Sequence, residues 1–154
     1  QRPDIYHKTM LLCINASPKM NEIIACQQYC MRDLTQWPKL NKMCQAQKEF
    51  IDALIYVDHL ENDPMIERIG VLAKIHTAYL KYGFKPHFLD LWRHHVDAQM
   101  DRLSMESSEE KAALLKAMST LNEFIVDALY TSFNEEKKLG NSTSATPAPV
   151  SPAE

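Results

Sequence analysis

Ile69-Gly70-Val71-Leu72-Ala73-Lys74-Ile75-His76, followed beyond Tyr79 by Gly83-Phe84-Lys85-Pro86-His87-Phe88 and Trp92, is the stretch on which the reading of this chain turns. Met65, Ile69, Leu72 and His76 recur at helical spacing, so an imidazole sits on the stripe that otherwise carries core side chains. A buried ring nitrogen without a partner costs about 1–3 kcal/mol, and the position therefore demands a hydrogen-bond partner or a metal ion. In an arbitrary helical protein that partner is a backbone carbonyl. After the histidine, Gly83 suits the left-handed residue that closes a helix and Pro86 the first turn of the next, which predicts two helices joined by a tight corner.

Working outward, Phe50, Ile51, Ala53, Leu54, Val57 and Leu60 predict an amphipathic helix before this one. Asp63 suits the N-cap and Pro64 the first residue of the histidine's helix. Downstream, Phe88, Leu91, Trp92, Val96, Met100 and Leu103 line one long helix. Ser107 and Glu110 have the spacing of a capping box for a last helix striped by Leu114, Met118, Leu121, Ile125, Leu129 and Phe133. A short helix near Ile5 to Ile14 opens the chain.

Composition agrees with a single soluble all-α domain: 154 residues, three Gly, 45% apolar side chains and no alternating strand pattern. A chain of this size buries roughly two thirds of its unfolded surface, enough for one core and a cofactor. No apolar run reaches the roughly 18 residues of a membrane span, and no charged-then-apolar leader is visible. A net charge of −3 gives no electrostatic reason to expect nucleic acid. Residues 138–154 are rich in Pro, Ser, Thr and Ala and are expected to form a flexible tail, leaving 1–137 as the domain.

Cys13, Cys26, Cys30 and Cys44 lack zinc spacing and are expected to be reduced, with Cys26 and Cys30 one turn apart as a candidate redox pair. Asn15-Ala16-Ser17 and Asn141-Ser142-Thr143 fit the glycosylation pattern at chance level. His94 and His95 are adjacent on a helix and point about 100° apart, which disfavours joint ligation. His95 falls on the apolar side; His7, His59 and His87 are expected to face solvent.

A buried His on one helix, then Gly-Phe-Lys-Pro-x-Phe-x-x-x-Trp opening the next, resembles the proximal histidine and following corner of the globins, particularly invertebrate, nematode-type ones. Phe50-Ile51-Asp52-Ala53-Leu54 followed by Asp58-His59-Leu60-Glu61-Asn62-Asp63 is similar to their distal helix and its exit loop. Met31 through Leu40, with Pro38, resembles the short proline helix preceding the haem-edge loop. The resemblance covers roughly residues 20 to 136 and implies a globin-like fold of about six to seven packed helices.

The resemblance further implies haem b as cofactor, with His76 as the axial iron ligand and Phe50, Leu72, Phe84, Phe88 and Trp92 as pocket walls. On the distal side two registers stay open. One places Gln47 where its amide donates to dioxygen, with Ile51 one turn deeper; the other places Ala46 there with Phe50 deeper, and Gln45 is a poorer third. Where the family carries a wedging phenylalanine this chain has Cys44, beside Met43, and Cys30, beside Tyr29, stands at another pocket position. The linker between Cys44 and the distal helix is almost absent. Extra residues between His76 and Gly83 imply a longer proximal helix. The function implied is reversible binding of dioxygen or another diatomic gas, in transport, storage, sensing or redox signalling, by a cytoplasmic protein with a second copy of itself as a candidate partner. Sustained enzymatic turnover, peroxidase-like or nitric-oxide-consuming, is not expected, because Gln47 is a poor acid and no reductase domain accompanies it. The alternative is a haem-free globin-fold sensor or protein-interaction module.

Overall fold

The computed structural model describes residues 4–24 and 37–142. Among them are six α-helices and no strand: α1 (Ile5–Ala16), α2 (Pro18–Ile24), α3 (Pro38–Tyr56), α4 (Asn62–Thr77), α5 (His87–Asp101) and α6 (Ser108–Ser142), with a short 3₁₀ turn over Leu80–Tyr82. The all-α expectation holds. No helix among the described residues is long and apolar enough to cross a membrane. The candidate redox pair Cys26 and Cys30, Tyr29, and the proline-helix residues before Trp37 lie outside the described residues.

Local chemistry explains most helix boundaries. Asp4 caps α1 by accepting from the His7 backbone N–H at 2.7 Å, and Ser107 does the same for Glu110 at the start of α6 at 3.2 Å. Pro38 occupies the first turn of α3, where its missing N–H costs nothing. The 19 residues of α3 contain no glycine, and the exposed pairs Gln45–Glu49 and Lys48–Asp52 reinforce them at one-turn spacing. From Pro38 onward the proline helix and the distal helix of the sequence reading are therefore one continuous element, and Cys44 is a buried mid-helix residue.

Four other expectations are corrected. The helix expected to reach Leu60 stops at Tyr56, because His59 and Leu60 take left-handed φ values of 53° and 59°. α4 begins at Asn62, with Glu61 at its cap and without a side-chain cap bond, so Asp63 and Pro64 lie inside its first turn. α4 ends at Thr77 instead of running further: the extra residues form the 3₁₀ turn, which closes on Gly83 at φ 90°. That glycine does act as the left-handed stop. At the other end of the chain, α6 crosses the expected boundary at residue 138 and continues to Ser142.

The tight corner between α3 and α4 is held by charge. Arg68 donates from Nε to Asp58 Oδ2 at 2.6 Å and from its terminal nitrogen to Oδ1 at 2.7 Å, a two-pronged grip on a carboxylate that is 6% exposed. The guanidinium holds the Asp58 carboxyl below the usual carboxylate range.

Packing is closest between α1 and α5, α4 and α6, α5 and α6, α1 and α3, and α1 and α2; the consecutive helices α3 and α4 are not among these pairs. Apolar side chains gather in two clusters. One joins Leu54, Met65, Ile69, Ala73 and the α6 stripe from Leu121 to Phe133; the other joins Met10, Cys13, Ile14, α2, Leu40, Cys44 and Phe88. Tyr6, Phe84 and Trp92 pack against both.

Candidate functional site

Between the two clusters lies a cavity of about 350 Å³. α4 shows how the sequence builds its wall. Met65, Ile69 and Ala73, spaced four residues apart, are sealed in the core, whereas Leu72 and His76, on the neighbouring line, are half-buried and border the cavity. All eight residues singled out from the sequence, Gln47, Phe50, Ile51, Leu72, His76, Phe84, Phe88 and Trp92, line this one space.

His76 is positioned by its own helix. Its Nδ1 lies 3.0 Å from the carbonyl oxygen of Leu72, one turn back. A carbonyl only accepts, so Nδ1 carries the proton and Nε2 keeps a lone pair. Burial lowers the imidazole pKa, against the smaller opposing effect of the Leu72 bond, so the ring is neutral near neutral pH. Phe84, after the left-handed glycine, presents its ring edge-on to the imidazole at 5.5 Å and stacks onward to Phe88 and Phe133.

The opposite helix, α3, contributes Met43, Ala46, Gln47, Phe50 and Ile51. Both distal registers thus border the cavity, but Gln47 is half-buried and Ala46 exposed. The Gln47 carbonyl oxygen accepts from Trp92 Nε1 at 2.9 Å. Gln45 is tied to Glu49 on the outer surface and takes no part. Cys44, the residue at the wedge position, turns into the α1–α3 core, and Met43 borders the cavity in its place. Burial pushes the Cys44 and Cys13 thiols up to about 12, which keeps them protonated and unreactive.

Several lining residues were not foreseen. Met10, Met20, Ile23 and Ile24 come from α1 and α2, and Ile125, Val126 and Leu129 from α6. The α6 residues Ile125 and Leu129 were legible as a core stripe; nothing in the local pattern of α1 and α2 marked them as cavity wall. Lys39, Ala46 and Ile75 are exposed lining residues and mark the cavity's edge.

The remaining histidines separate cleanly. His95 is half-buried, its Nε2 has no partner among the described residues, and it does not border the cavity. His94 lines a separate polar groove with Asp90, Arg93 and Asp97. His59 and His87 are exposed as expected, but His7 is buried at 8% exposure, because the close packing of α1 on α5 encloses that face of the helix.

Among the described residues no group of three or more His, Cys, Asp or Glu side chains is placed to hold a metal ion. Comparisons with protein-family models, with curated proteins and with solved structures returned no match.

Proposed function

We propose that the chain is a globin-type haem protein: the cavity takes haem b, His76 is the single axial protein ligand, and the loaded protein binds dioxygen or another diatomic gas reversibly. The observation that carries this reading is the bond from His76 Nδ1 to the Leu72 carbonyl in the wall of an apolar cavity. Imidazoles that ligate metals typically donate their second N–H to a carbonyl or carboxylate, which fixes the tautomer and the ring plane.

The donor set supports a macrocycle over a bare ion. Among the described residues one neutral imidazole without nearby carboxylates or thiolates is too few ligands for a free cation, and it would suit a metal that brings further donors of its own. Haem would supply an iron able to bind a diatomic gas. The chain's residues would do the rest. His76 offers Nε2 and sets its orientation; Phe50, Ile51, Leu72, Phe84 and Phe88 exclude water; Gln47 offers an amide on the far helix. Among the described residues the lining carries no carboxyl group, which favours binding over acid-assisted turnover.

The test is an ultraviolet–visible spectrum of the full chain purified with haem supplied, reduced and oxidised, with and without carbon monoxide. A Soret band that shifts with carbon monoxide, is lost in His76→Ala and survives in His95→Ala is the expected result. No band under haem-replete conditions would leave a haem-free cavity for an apolar ligand.

A further inference from the structure

We propose that Trp92 is a positioning residue that fixes which end of the Gln47 amide faces a ligand in the cavity. The indole N–H is a donor only, so the Gln47 atom facing it at 2.9 Å must be the carbonyl oxygen. The two N–H donors of the amide are therefore left for the cavity. The bond joins α3 to α5 across 45 residues of sequence, and both side chains line the same space.

An amide is nearly symmetric in shape but opposite in polarity at its two ends. Left unpinned, Gln47 would rotate freely between presenting a donor and presenting an acceptor, and it would also swing outward beside the exposed Ala46. Holding it by the oxygen removes both alternatives before a ligand arrives. A donor favours a ligand whose outer end carries partial negative charge; an acceptor would repel it. Trp92 thereby sets the cavity's preference for a diatomic ligand whose outer atom would carry partial negative charge on binding, such as dioxygen, over one whose outer atom would carry less, such as carbon monoxide, an effect that rests on the haem reading above.

Two measurements separate this proposal from that reading. In ¹⁵N-labelled full chain without haem, the Trp92 indole proton is expected to exchange with solvent more slowly than that of Trp37, and Trp92→Phe to shift the Gln47 side-chain amide resonances. Free exchange of the Trp92 proton and unmoved amide resonances would overturn the pin whether or not haem binds. In haem-loaded chain, Trp92→Phe should speed dioxygen release about three- to tenfold, the range of one neutral hydrogen bond, with carbon monoxide release little changed. The same substitution on a Gln47→Leu background should add nothing. An equal acceleration on both backgrounds, or equal effects on both gases, would show that Trp92 acts by bulk alone and would overturn the proposal. Absence of a Soret band in every variant would sink the haem reading while the exchange data still decide the pin.

Discussion

A void lined by apolar side chains weakens the protein that contains it, and filling it should be measurable as stability. Unfilled apolar cavities cost about 24 cal/mol per Å³, which puts a ceiling of about 8 kcal/mol on a cavity of about 350 Å³. Exposed Ile75, Ala46 and Lys39 at the edge admit water, so roughly half, about 4 kcal/mol, is a reasonable recoverable part. An occupant at about a thousand times its Kd would supply that amount. For a chain of this size the shift in Tm is about 3 °C per kcal/mol, or about 12 °C in all. The assay is a thermal melt followed by far-ultraviolet circular dichroism, with and without saturating haem. His76→Ala should lose the shift together with the Soret band. A Soret band accompanied by an unchanged midpoint would refute the reasoning, since the occupant would then lie outside the cavity.

Three further outcomes are expected. Gly70 lies inside α4, and a methyl group there would meet nothing within 4 Å, so Gly70→Ala should raise unfolding stability by about 0.5–1 kcal/mol in urea titration. Arg68 holds the Asp58 carboxyl below its ordinary range, so its contribution is present above about pH 4 and is lost as pH falls through the lower folded value. Asp58→Asn should flatten the acid side of the stability profile and lower the urea midpoint at neutral pH. Burial raises the Cys13 and Cys44 thiols from 9.0 to about 12, so their contribution is complete below about pH 9 and is lost as pH rises towards 12. Site-resolved mass spectrometry at mildly alkaline pH should find both unlabelled by a thiol reagent until denaturant is added.

What the sequence revealed and what it hid follow from the range of the forces involved. The histidine, Gly83 and the aromatic run after it were readable because helical spacing and a left-handed stop are local signals, and His76, Phe84, Phe88 and Trp92 do converge on one cavity. Asp63 and Pro64 misled because a cap is decided by the preceding backbone, and here the chain turns at His59 and Leu60, two residues with no sequence mark of a positive φ. The join of two expected helices into α3 was hidden for a different reason. Family order suggested a break near Cys44, whereas helix propensity and one-turn pairs on the surface favoured continuity. Contributions from α1, α2 and α6 depend on tertiary packing, and no window of sequence reports which half of a buried face meets a neighbour and which half meets a void.

The corner at residues 57–61 acts on the cavity from a distance. α3 carries Gln47, Phe50 and Ile51, α4 carries Leu72 and His76, and these two helices are not among the closely packed pairs. The joint, with Asp58 and Arg68 as its clamp, therefore closes one end of the gap between the walls, while α1 holds α3 and α6 holds α4. A substitution at the joint would thus reach an occupant of the slot without touching it, with every side chain that lines the slot left as it is.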